Sequence, residues 1–207
     1  CAQSHGSKWN GQTVGTFGDI GCFSFYPSKG CGAFGDAGAI VTYSEDLANK
    51  FKIFRNYGSE KRYYNEVVGV NSRLDEMQAG LLRVKLTHLN EFNTERCKIA
   101  ERYTSELENP HVIKPKVRPG AVSTWHQYVI HSDKRDELMA YLREQGIGTL
   151  IHYPIPPHLS QAYQYLGRKE GDFPIAERYA KEVLSLPMYN GMTEEEQCYI
   201  IEMVNKF

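Results

Sequence analysis

The sequence predicts an α/β fold in two pieces bridged by a long helix, and three observations carry that reading. Two short apolar runs near the start flank a glycine-rich loop, and an apolar row then recurs at helical spacing over Ser72–Leu107 without a proline. Beyond Asn109-Pro110, strand-like and helix-like segments alternate over shorter spans. The composition suits such a fold: 207 residues, 41% hydrophobic and 24% charged, as in ordinary globular chains. A chain of this size buries roughly 70% of its unfolded surface. The 24 Lys plus Arg balance 25 Asp plus Glu, so no positive field recommends nucleic acid or an anionic membrane. The longest apolar run, Leu138–Leu142, has five residues, against the roughly 20 that span a bilayer.

Each element has a local cause. Nine of the 18 glycines lie within Gly6–Gly38, where the runs Ile20–Tyr26 and Ala39–Tyr43 read as strands around the loop Pro27–Asp36. A loop so rich in glycine lets the backbone approach something closely. Ser44, followed by Glu45 and Asp46, reads as an N-cap with acids in the first turn of a helix running to Tyr57 and closed by Gly58. Ser59–Val70 is aperiodic and polar, hence a loop. Leu74, Met77, Leu81, Val84, Leu89, Phe92, Ile99, Tyr103 and Leu107 then mark one long helix, or two nearly collinear ones, with the apolar stripe facing a core. Trp125–His131 reads as a strand, Asp133–Gln145 as a helix closed by Gly146, and Ile147–His152 as a strand. The prolines of Tyr153–Pro157 impose an extended turn. Phe173–Ser185 and Thr193–Lys206 read as amphipathic helices, the second with Thr193 and Glu196 as a capping box. The expected organisation is therefore 1–71, a connecting helix over 72–108, and a small α/β domain over 109–207.

The five cysteines are odd in number, lack C-x-x-C spacing and have no histidine at a finger-like offset. They predict free thiols in a reducing compartment, with the cytoplasm as location, and no metal site. The start, Cys1-Ala2-Gln3-Ser4-His5, has neither the basic head nor the apolar stretch of a signal peptide. It reads as the middle of a loop, which leads us to expect a portion of a longer protein.

Lys29 is the first candidate for chemistry: an amine in a glycine-flanked loop just after a strand, with Ser24 five residues upstream. An amine held there is a usable nucleophile toward an aldehyde, although a loop lysine is ordinarily a solvated charge. The runs Ser24-Phe25-Tyr26-Pro27-Ser28-Lys29 and Gly35-Asp36-Ala37-Gly38-Ala39-Ile40-Val41-Thr42 closely resemble the lysine segment of the DegT/DnrJ/EryC1/StrS sugar aminotransferases. Ala2-Gln3-Ser4-His5-Gly6, Asn56-Tyr57-Gly58, the stretch Gly69–Ala79 and His152-Tyr153-Pro154 are similar to further blocks of that family, in the same order. The resemblance spans the chain. Ala37 and Gly80 depart from the family's usual Gly and Ala.

The resemblance implies the C-terminal part of the pyridoxal-phosphate-dependent transferase fold, with the end of the large domain, the connecting helix and the small domain. Lys29 would be the Schiff-base lysine and then the general acid and base. Ser24 would hydrogen-bond the cofactor phosphate, Gln3 would meet its ring oxygen, and Asn71 would reach a phosphate across the interface of a homodimer with shared active sites. Tyr26, Tyr57, Arg73 and His152 would be substrate residues. A solvated Arg73, an Asn71 that merely precedes a helix, and a structural His126 or His152 remain open beside these roles. A branch of the family with histidine in place of the lysine dehydrates its sugar instead, so Lys29 implies transamination. The stretch Asn56–Gly69 resembles members that aminate carbon 3 of a thymidine-diphosphate 3-keto-6-deoxyhexose with glutamate as donor. The basic residues Lys52, Arg55, Lys61 and Arg62 beside Tyr57, Tyr63 and Tyr64 are candidates for its diphosphate and sugar, or a solvated face. Family members carry, just before the position of Cys1, an Asp that pairs with the pyridine nitrogen; alone, this chain is expected to hold the cofactor poorly. The alternative from another class is a non-catalytic association domain.

Overall fold

The computed structural model describes residues 1–207 as two compact units. The first comprises Cys1–Thr94 and Val117–His126, the second Glu95–Lys116 and Gln127–Phe207.

In the first unit, β1 (Lys8–Trp9) and β2 (Gln12–Thr13) form a hairpin around Asn10 and Gly11, both at positive φ. Those two residues supply the backbone twist that a two-residue hairpin needs. The pair β3 (Gly21–Ser24) and β4 (Gly38–Val41) is antiparallel, with Gly21 opposite Val41 and Ser24 opposite Gly38. Helix α1 (Glu45–Phe54) starts where expected, the Ser44 hydroxyl accepting from the Leu47 N–H at 3.3 Å. It stops three residues before the expected end, because Tyr57 and Gly58 are both left-handed and the Gly58 N–H closes back on the Ile53 carbonyl at 3.0 Å.

The long helical stretch divides at His88 into α2 (Glu76–Thr87) and α3 (Leu89–Glu106). The apolar stripe is core only in part. Ile99, Tyr103 and Leu107 are buried, but Met77, Leu81 and Val84 are exposed and Leu82 alone of α2 is buried. The third strand of the first sheet, β5 (Ala121–Val122), pairs with β1, giving the order β2-β1-β5. The boundary between the two units falls inside α3.

The second unit centres on β6 (Tyr128–His131), which begins later than expected because Trp125 has a positive φ. Helix α4 (Arg135–Glu144) follows, and Gly146 is left-handed after its last turn. Ile147–His152 is not a strand: only Leu150 pairs, in an isolated bridge to Ser185. After the proline-rich turn and two short 3-10 turns, Pro157–Leu159 and Gln161–Leu166, α5 (Pro174–Glu182) ends three residues before Ser185. Val183–Leu186 forms β7 instead, antiparallel to β6 with Val183 opposite His131 and Leu186 opposite Tyr128. A four-residue apolar run is compatible with either state. β6 decides the matter, since its buried carbonyl and N–H groups need a partner strand. Helix α6 (Glu194–Lys206) carries the expected capping box, Thr193 Oγ1 and Glu196 each bonding the other's backbone N–H. Leu138 and Leu142 of α4, Leu184 and Leu186 of β7 and Val204 of α6 are buried in this unit with Tyr103 and Tyr128. Each such leucine is worth about 1.5–3 kcal/mol of burial. No helix is long and apolar enough to cross a membrane.

Candidate active site

Lys29 owes its position to the β3–β4 pair and to the loop that joins the two strands. The pairing runs one step past Ser24, the Phe25 N–H donating to the Ala37 carbonyl at 2.8 Å. The chain then turns at Pro27, and the Lys29 N–H donates to the Tyr26 carbonyl at 2.8 Å. It comes back through the Ala33 N–H, which donates to the Phe25 carbonyl at 2.8 Å. Only glycine fits at position 32, because a Cβ there would stand 2.1 Å from the Pro27 carbonyl oxygen.

Helix α2 pins this loop from its side. Lys85 Nζ donates to the Gly32 carbonyl at 2.7 Å, and Gln78 Oε1 accepts from the Phe34 N–H at 3.1 Å. Phe25, Cys31, Ala33 and Leu82 form the buried cluster beneath it, and burial pushes the Cys31 thiol above its ordinary value. Lys29 is thus a half-buried amine on a loop with fixed ends. Ser24 is half-buried too, and its Oγ accepts from the Tyr26 N–H at 3.3 Å, which ties the hydroxyl to the start of the lysine loop. Tyr26 is exposed, as is Gln3, which lies in the turn closed by the Ser4 N–H on the Cys1 carbonyl at 3.1 Å.

His5 belongs to the same place, and the sequence assigned it no role. Its ring packs 5.5 Å from Phe23 and 5.6 Å from Phe25, on either side of Ser24 in the chain. It is 5% exposed, and its Nε2 has no hydrogen-bond partner of good geometry although the ring lies against the Ser24 carbonyl. Burial holds this imidazole below its ordinary value, with the nearby Lys29 charge adding to the effect and the Ser24 carbonyl opposing it. The signal available in the sequence was its place in Gln3-Ser4-His5-Gly6; its burial depends on Phe23 and Phe25, which are remote in the chain.

Tyr57, Asn71 and Arg73 gather separately. Asn71 bridges antiparallel to Asn56, Arg73 Nη1 donates a long 3.4 Å bond to Asn56 Oδ1, and the Arg73 guanidinium stands 5.4 Å from the Tyr57 ring centroid. All three are exposed. Arg73 is therefore a partly ordered cation on an aromatic face. Lys61 and Arg62 each stand 4.8 Å over a neighbouring ring, Tyr64 and Tyr63, in the exposed part of the 59–70 loop. His126 is half-buried in the first unit. His152 lies in the second unit, its Nδ1 2.8 Å from Ser185 Oγ and its ring edge-to-face with Tyr153 at 5.4 Å. All five cysteines are free thiols, and no three His, Cys, Asp or Glu side chains converge as a metal cage would require.

A primary amine on a pinned loop and a hydroxyl at the end of the strand that feeds it can hold an aldehyde carbon and an anionic oxygen. A buried imidazole nitrogen beside them still lacks a partner. Residues 1–205 match the DegT/DnrJ/EryC1/StrS aminotransferase family. The chain is 47% identical over 209 residues to a pleiotropic regulatory protein of Geobacillus stearothermophilus, covering all of this chain and 56% of that protein. It is 45% identical to a dTDP-3-amino-3,6-dideoxy-alpha-D-galactopyranose transaminase of Aneurinibacillus thermoaerophilus, again covering all of this chain and 56% of the relative. Among solved structures, S. venezuelae DesV in complex with a ketimine intermediate superposes with a TM-score of 0.96 at 42% identity, over 99% of this chain and 56% of that one. The chain spans about half the length of the curated relatives it matches.

Proposed function

The chain belongs to the DegT/DnrJ/EryC1/StrS aminotransferase family, and on that premise we propose that it serves the transfer of an amino group from glutamate to a nucleotide-linked keto-sugar, with pyridoxal 5'-phosphate as cofactor. The sugar nucleotide proposed is a thymidine-diphosphate 3-keto-6-deoxyhexose. The observation that carries the reading is the pinned loop that carries Lys29 directly after the strand ending in Ser24. The donor set fits the cofactor: an amine for its aldehyde and a hydroxyl for its phosphate, with the buried His5 Nε2, which lacks a hydrogen-bond partner of good geometry, in the same unit.

Pyridoxal phosphate, when bound, supplies an electron-withdrawing ring that makes the C–H bond at the amino-bearing carbon acidic. Lys29 Nζ would be the amine that holds the cofactor's aldehyde carbon and, when free, the base that moves the proton. Ser24 Oγ holds the phosphate, and Gln3 meets the ring oxygen. Asn71 completes the phosphate site across a homodimer interface. Tyr26, Tyr57 and Arg73 are proposed as substrate residues, the stacking of Arg73 on Tyr57 supporting the last two. His152 is proposed as a substrate residue of the second unit.

In the intact enzyme, borohydride reduction in the presence of pyridoxal phosphate, followed by peptide mass spectrometry, is expected to mark Lys29 alone. Lys29→Ala should keep the circular dichroism spectrum and lose transamination; retained turnover would refute the role. Assays with thymidine-diphosphate and uridine-diphosphate 3-keto-sugars should favour the first. A preference for the second overturns the nucleotide assignment and leaves the reaction standing.

A further inference from the structure

We infer that Ser185 is a positioning residue for the His152 imidazole and, through it, for the sugar nucleotide; the inference rests on the reading of His152 as a substrate residue. Ser185 is the one polar side chain of β7, Val183-Leu184-Ser185-Leu186, in which all four residues are buried. A hydroxyl at 7% exposure between leucines costs stability unless it is hydrogen-bonded. Its partner is His152 Nδ1 at 2.8 Å, 33 residues earlier in the chain.

The same residue also fixes the backbone that carries the histidine. The Ser185 N–H donates to the Leu150 carbonyl at 2.8 Å, and the Leu150 N–H donates back to the Ser185 carbonyl at 3.3 Å. Leu150 lies two residues before His152, so this bridge anchors the chain next to the histidine. One residue of a buried strand, itself paired to β6, thus both bonds the His152 ring and pairs the backbone just before it. His152 follows the last paired residue and precedes the proline-rich turn. The Nδ1 bond and the Tyr153 edge contact both act against rotation of the ring. A substrate-binding side chain held this way loses less entropy when the ligand arrives.

The test compares Ser185→Ala, Ser185→Thr, His152→Ala and the double variant in the intact enzyme. Ser185→Ala is expected to raise KM for the sugar nucleotide roughly five- to tenfold, with kcat within about twofold, as loss of one hydrogen bond allows. The imidazole nitrogen resonances of His152 should shift in the same variant. Ser185→Thr should restore both, and in the His152→Ala background Ser185→Ala should add nothing to KM. Should the alanine variant not fold, Ser185→Cys gives the same comparison, since a thiol is a weak partner. Unmoved His152 resonances, an unchanged KM, or the same KM rise with and without His152 each overturns the inference. If His152→Ala leaves KM unaltered, the substrate role of His152 falls and the inference with it, while the labelling of Lys29 stands or fails independently.

Discussion

His5 packs against two phenylalanines in the first unit, and His131 of the second packs edge-on to Tyr179 with ring centroids 4.2 Å apart. Burial is the main cause that holds both imidazoles below the ordinary value of 6.5. The folded state therefore keeps them neutral where the unfolded chain has bound a proton, so the unfolded state binds more protons and stability rises with pH. The contribution is complete above 6.5 and is lost as pH falls through 6.5 toward the folded values. Glu177 and Glu196 act lower. Backbone N–H groups, those of Gly171 and Thr193 first, hold their carboxylates below 4.5, and that stability disappears as pH falls through the folded values. The urea midpoint should thus decline in two stages between about pH 8 and 3. His5→Phe should remove part of the first stage, and a midpoint flat down to about pH 5 would contradict the argument.

Among the elements, α2 is the one whose pattern and surroundings disagree. Met77, Leu81 and Val84 stand at four- and three-residue intervals, the spacing of one helix face, yet they are 80%, 44% and 64% exposed. An apolar row in water is a candidate contact surface. The partner that fits the proposed homodimer is a second copy of the chain. Val84→Glu in the intact protein is expected to shift light scattering toward monomer with little change in the unfolding midpoint, because the side chain is exposed within each copy. A dimer that survives this charge would remove α2 from the interface. The strand β7 shows the opposite relation. Its residues look like the last turn of α5 and become a strand because β6 needs a partner for its buried backbone.

For the molecule as a whole, the two units differ in what they bury. The second has fully enclosed side chains from α3, β6, α4, β7 and α6. The first has the small cluster Phe25, Cys31, Ala33 and Leu82, a two-stranded β3–β4 sheet with Ile40 and Val41 exposed, and a helix α1 with no buried residue. A two-stranded sheet is marginal in water by itself. In this 207-residue chain the amides of β3 and β4 are therefore expected to exchange with deuterium well before those of β6 and β7. Equal protection of the two pairs would show that the cluster under the Lys29 loop is sufficient.

The sequence alone determined the features whose causes are local. The Ser44 cap, the Thr193–Glu196 box, the glycine-rich turn before β4 and the lysine that follows Tyr26-Pro27-Ser28 are all set by residues within a few positions of each other. The Asn10-Gly11 hairpin was not read from the sequence, because β1 and β2 are too short to show alternation. Tertiary structure decided what depends on partners distant in the chain. It made Val183–Leu186 a strand, left Met77 and Val84 in water, packed His5 against Phe23 and Phe25, and gave His152 to Ser185. Burial and pairing are properties of two surfaces at once, and a linear pattern describes only one of them.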